Sequence, residues 1–194
     1  MVSRSENKNS DEYLEITGST CSGKSYYAVK YPNAVKVNKL FFLVGIWYTL
    51  ILNFNAFLFL YKKCRGSDRN LLFSINVGLN VFAKIGYFKF CKIFRQKAIL
   101  DEGITHIPFI LHLNMNETKQ FLDFFGDILA EINVEFCSCD IDVIESRLRC
   151  RGHRRVRNKS DFISFLQAHT AIQTFYPDLL RKAVNKVTVL NCTQ

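Results

Sequence analysis

Hydrophobic and polar positions alternate through Tyr13-Leu14-Glu15-Ile16-Thr17, the period of a short strand. After a Gly-rich stretch, Ser25-Tyr26-Tyr27-Ala28-Val29-Lys30-Tyr31 reads as an opening helix that Pro32 stops. From Leu40 to Tyr61 the chain carries no charge, and Lys39 and Lys62-Lys63 bracket that run. Length and charge make it a membrane-span candidate. Asn53 and Asn55 in its middle argue against a span, and so does its place between strands of one sheet. The preferred expectation is a buried or membrane-contacting helix. Leu71, Leu72, Ile75, Leu79, Phe82, Ile85 and Phe88 recur at helical spacing with Lys84, Lys89 and Lys92 nearby, which predicts a second helix and so a helical hairpin.

Beyond the hairpin, short apolar runs alternate with longer periodic ones. Lys97-Ala98-Ile99-Leu100, residues 134–140 and Lys186-Val187-Thr188-Val189-Leu190 read as strands. Glu117 to Glu131, Val143 to Arg151 and Asp161 to Leu180 read as helices, the last ending near Pro177 or shortly after. Alternation of this kind predicts an α/β fold with a parallel sheet under covering helices. Residues 1–10 are expected to be a flexible polar tail and 11–194 a single domain, within which 39–95 forms an apolar helical subdomain.

A chain of 194 residues with 48% hydrophobic content is large enough for one full core. Its net charge of +9 favours polyanionic partners: nucleotide phosphates, nucleic acid or an acidic membrane surface. Nucleic acid is disfavoured, because the basic residues gather at 62–65, 84–97 and 147–159 and form no continuous stripe. Seven cysteines without framework spacing, behind the polar start Met1 to Ser10, point to reduced thiols in a cytoplasmic protein. Cys137, Cys139 and Cys150 with His153 have zinc-ligand chemistry, but packing is the preferred role for the cysteines.

Three segments carry chemistry. Gly18-Ser19-Thr20-Cys21-Ser22-Gly23-Lys24-Ser25 fits G-x-x-x-x-G-K-[ST] in a strand–loop–helix setting, which predicts that the loop wraps a nucleoside triphosphate. The glycines let the main chain approach anionic oxygens, Lys24 neutralises the β- and γ-phosphates, and the Ser25 hydroxyl ligates Mg²⁺. Asp101 ends an apolar strand where ligands of open parallel sheets collect. It is expected to orient the metal, alongside Ser25, or to serve as base, and Glu102 can share that work. Arg147 and Arg151 stand four apart on one helix face ahead of a basic loop with Arg154 and Arg155. They are expected to stabilise the moving phosphoryl group. The loop, 152–160, is expected to be a lid.

Together the loop, the strand-end Asp101, the strand at 134–140 and the run Arg147 to Arg155 resemble the small P-loop kinases of the nucleoside and nucleotide kinase type. That resemblance covers most of 11–38 and 96–194. It implies a three-layer P-loop NTPase with a five-stranded parallel sheet of order 2-3-1-4-5. Lys24 and Ser25 then hold phosphates and Mg²⁺, Arg147 and Arg151 sit at the lid base, and Asn191 and Cys192 lie against the base of ATP. The family usually follows the strand-end acid with Arg, and here Glu102-Gly103 follows. The apolar 39–95 segment suggests a greasy or carrier-linked acceptor, or contact with a membrane or partner. The expected activity is transfer of the γ-phosphoryl of ATP to a small acceptor, a nucleotide, a sugar or a carrier-linked group. Lys24, Asp101, Arg147 and Arg151 would carry it, with Glu102, His106, Arg154 and Arg155 on the acceptor side. The alternatives are a nucleotide-dependent switch or assembly protein acting through 39–95, or an ATP-binding protein peripheral to a membrane. The apolar helices also allow a dimer.

Overall fold

Strand β1 (Tyr13–Gly18) forms the middle of a parallel sheet because both of its neighbours bring apolar strands to it in register. Tyr13 faces Ala98 of β3 (Ala98–Asp101), and Leu14 faces Asn133 of β4 (Asn133–Ser138). Strand β2 (Ala34–Val35) pairs outside β3 and β5 (Lys186–Asn191) outside β4, giving the order β2-β3-β1-β4-β5. The expected five parallel strands and their order are therefore present. The computed structural model describes residues 13–31, 33–66, 71–151, 156 and 158–192.

Helix α1 (Lys24–Ala28) follows β1. The apolar segment then folds as α2 (Phe42–Leu52), α3 (Phe54–Gly66) and α4 (Leu71–Ile93). The charge-free run is thus two helices, not one, and the hairpin becomes three helices. Asn53 causes the break: its carboxamide accepts from the Ala56 amide at 3.1 Å, as an N-cap does, and donates to the Phe124 carbonyl at 2.8 Å. Helix α4 is long and apolar enough to cross a membrane, but half of its most apolar stretch is buried within the protein. Gly45 of α2 and Gly86 of α4 bring the two backbones together; a Cβ on Gly45 would lie 1.9 Å from the Phe82 carbonyl oxygen.

Helices α5 (Ile107–Leu111), α6 (Met115–Phe124) and α7 (Gly126–Leu129) link β3 to β4. The single helix expected over 117–131 is interrupted at Phe125, whose φ and ψ leave the helical region while its ring stays in the core. Helix α8 (Ile141–Arg151) and the long α9 (Lys159–Ala183) lead to β5. Helix α9 runs through Pro177, as the expected Asp161 to Leu180 span does, and ends three residues later than that span, at Ala183. Tyr176 and Leu180 on either side are fully buried, and the Tyr176 hydroxyl donates to the Thr105 carbonyl at 2.6 Å. That anchoring outweighs the one hydrogen bond a proline removes.

Successive residues of β4 face opposite ways, and they enter different cores. Val134 and Phe136 join the large cluster with α3, α4, α5, α6 and α9, whereas Cys137 joins Ile16, Ile144 and Cys192. Both faces of the sheet are therefore covered. Cys137 and Cys139 are packing residues within the smaller cluster, where burial pushes the Cys137 thiol up to about 12.

Candidate functional site

The site begins where β1 runs out. Gly18 has φ +144°, and a Cβ there would lie 2.3 Å from the Cys137 carbonyl oxygen, so only glycine fits. Cys21 and Gly23 also turn through positive φ, at 64° and 94°. These reversals curl the loop around Lys24, whose ammonium donates to the Ser19 carbonyl at 2.6 Å and the Gly18 carbonyl at 3.2 Å. The Ser22 hydroxyl is buried with no hydrogen-bond partner among the described residues. Helix α9 supports the loop from behind. The Thr20 amide donates to Nδ1 of His169 at 3.3 Å, and the Ser19 hydroxyl lies 3.1 Å from the same nitrogen. Accepting there places the ring proton on Nε2. The role of His169 was not read from the sequence, because the contact spans some 150 positions.

Strand β3 delivers the acids. Asp101 ends the strand, and Glu102 follows with φ +65°. A Glu102 carboxylate oxygen lies 3.3 Å from the Lys24 ammonium and 3.5 Å from Nε2 of His106. Burial opposes ionisation of Glu102, but His106, Lys24 and Lys84 together hold its carboxyl well below the usual range. The carboxylate of Asp101 lies instead 3.9 Å from Lys36. Burial and the charge of Glu102 push its carboxyl up.

A second buried carboxylate fixes this wall. Glu15 accepts from the amides of Ile104 and Thr105 at 2.9 and 2.8 Å and from the Thr105 hydroxyl at 2.7 Å. Gly103 is required here, since a Cβ would lie 2.2 Å from that carboxylate. Burial pushes the Glu15 carboxyl up against the pull of these donors and of Lys84. Lys84, from α4, is itself buried; burial draws its ammonium down while Glu102, Glu15 and Asp101 draw it up. Sequence periodicity grouped Lys84 with the half-buried Lys89 and the exposed Lys92 and so missed it.

These walls enclose a cavity of about 930 Å³. One end is lined by Thr20, Cys21, Gly23, Lys24 and Ser25 of the loop, by Arg147 and Arg151 of α8, and by Asn191 at the end of β5 and Cys192 after it. The Arg147 guanidinium donates to the Cys21 carbonyl at 3.1 Å. At the other end α4 presents Phe73, Asn76, Val77 and Asn80, a stripe at helical spacing, opposite His106, Phe109 and Ile110. Glu102 lines the cavity together with both groups. The fold thus brings together Gly23, Lys24, Ser25, Glu102, His106, Arg147, Arg151, Asn191 and Cys192. Asp101 is near but does not line the cavity, and Gly18, Ser19 and Ser22 form the loop beneath it. Arg154, Arg155 and most of the expected 152–160 lid lie outside the described residues.

The donor set suits a magnesium–phosphate group: a hydroxyl at Ser25, a carboxylate at Glu102 and cations on three sides are hard oxygen ligands and phosphate counter-charges. Among the described residues there is no cluster of three or more His, Cys, Asp and Glu side chains that would hold a metal without such a ligand. In comparisons with known proteins, no family model and no curated protein sequence matches this chain.

Proposed function

We propose that the protein is a P-loop phosphotransferase that moves the γ-phosphoryl group of ATP to a small acceptor. The observation that carries this reading is the two-ended cavity. A cationic phosphate end meets an end lined by aromatic, amide and imidazole side chains, with one ionised carboxylate lining the same cavity. A protein that only bound or hydrolysed the nucleotide would need the first end alone. The volume lies near the top of the ~300–1,000 Å³ range of small-molecule sites.

In this reading the curled loop and Lys24 bind the β- and γ-phosphates, and Arg147 and Arg151 meet the charge that spreads over the phosphoryl oxygens. The Ser25 hydroxyl would hold Mg²⁺, which would supply further charge neutralisation when bound. Asn76 and Asn80 hydrogen-bond the acceptor between Phe73 and Phe109. Glu102 takes the proton from the acceptor hydroxyl as its oxygen bonds to the γ-phosphorus, and the bond to the β-phosphate oxygen breaks to release ADP.

The test is ADP release from the full chain with ATP and Mg²⁺ across a panel of nucleosides, nucleotides, sugars and lipid-linked alcohols. Acceptor-dependent release that Lys24→Met removes is the expected result. Release that no acceptor alters, and that Glu102→Gln leaves unchanged, would overturn the proposal.

A further inference from the structure

Helix α2 leaves a broad apolar face uncovered. Its fully buried residues are the small Gly45 and Thr49, with Gly45 against the α4 backbone, and Phe42, Ile46 and Tyr48 are half-buried against the core. The other large side chains face outward: Leu40, just ahead of it, then Leu43, Val44, Trp47, Leu50 and Ile51 fall at helical spacing and are all exposed. Leu40 is 76% exposed, Trp47 63% and Ile51 65%, values far from those of a core face. The stripe continues into α3 through Phe54 and Leu58.

Charge identifies what covers this face. Residues 39–95 hold nine Lys and Arg against one acidic residue, Asp68, so this segment carries +8 of the chain's +9. Lys39 stands at the start of the apolar stripe, and the exposed Lys62 and Arg65 follow it on α3. Pairing with a second copy through this face would bring the exposed Lys39, Lys62 and Arg65 of each chain towards those of the other, whereas an anionic lipid surface meets both the apolar stripe and its basic borders. At 11 residues α2 extends about 16 Å, near half the ~30 Å hydrocarbon thickness, so it can lie in the interface but not cross it.

We infer that the outward face of α2 and the start of α3 is a docking surface for an anionic lipid bilayer, entered by Trp47 and its apolar neighbours with the lysines at the headgroups. The inference is independent of the nucleotide reading. Trp47 is the sole tryptophan, so its emission reports the face directly. The full chain is mixed with phosphatidylcholine vesicles, with or without about one-third phosphatidylglycerol.

The expected result is a blue shift and quenching by brominated acyl chains on anionic vesicles, weakened by salt and at least tenfold weaker on neutral ones. Leu43→Glu with Ile51→Glu should lower vesicle affinity at least tenfold without changing the circular dichroism. Lys62→Glu with Arg65→Glu, which leaves the apolar stripe intact, should lower it on anionic vesicles only. Absence of quenching on anionic vesicles overturns the inference. So does burial of Trp47 by concentration-dependent self-association without lipid binding, which would make a second copy the occupant.

Discussion

The Lys24 ammonium is buried among the Ser19 and Gly18 carbonyls and the Glu102 carboxylate, so its removal has two separable effects. Lys24→Met should reduce phosphoryl transfer by about 10²–10³, the loss typical of one transition-state donor, and abolish the stabilisation by ATP described below. Glu102→Gln should lower turnover by about 10²–10⁴, the scale of a general base, while Asp101→Asn, near Lys36, should cost less. Glu102 also predicts a pH dependence. Its folded carboxyl lies below the ordinary 4.5, so the stability it contributes is present above that value and fades as pH falls below it. Acid titration by circular dichroism should show a shallower stability loss in Glu102→Gln than in the native protein. Lys84→Met strips a buried cation from among Glu15, Asp101 and Glu102. Its cost at pH 7 should be about 3–5 kcal/mol in urea unfolding, shrinking as the carboxylates protonate.

At the level of elements, the strand–loop–helix around Gly18 to Ser25 was legible because its pattern is local. Strand β2 was not, since two residues carry no period. The division of the charge-free run at Asn53 rests on a side-chain cap and a bond to Phe124, and only the first has a local signature. Helix α9 continues through Pro177 to Ala183 because the buried Tyr176 and Leu180 hold it together on either side of the proline. Glu15 and Lys84 escaped notice for a related reason: buried charge in a strand and a helix is explained by partners far along the chain. The α2–α4 contact yields its own prediction. Gly45→Val must push the two backbones apart, which should lower stability by about 1–3 kcal/mol, read as a fall in thermal midpoint, whereas Gly66→Ala, with open space around it, should not.

For the whole molecule, the parallel sheet and its order followed from the alternation of runs and from the kinase resemblance. The division of labour between its edges did not. Residues 96–194 hold equal numbers of acidic and basic side chains, so the protein is a balanced α/β body carrying one strongly cationic lobe. ATP bound by the folded state alone should raise the unfolding free energy by about 2.7 kcal/mol at a hundredfold excess over Kd. Differential scanning fluorimetry with and without Mg²⁺–ATP tests this, and the thermal midpoint of Lys24→Met should not move. The backbone-to-backbone seam at Gly45 and Gly86 bears on how the lobe communicates with the cavity. Side chains between helices act as springs, absorbing displacement by changing rotamer; at Gly45 and Gly86 none intervenes, although beside them Lys89 of α4 lies over the Tyr48 ring of α2. The seam is stiff, and the same α4 that it grips carries Phe73, Asn76, Val77 and Asn80. The helix that meets α2 at this seam thus also lines the cavity, so a displacement of α2 that shifts α4 as a body shifts Phe73, Asn76, Val77 and Asn80 with it.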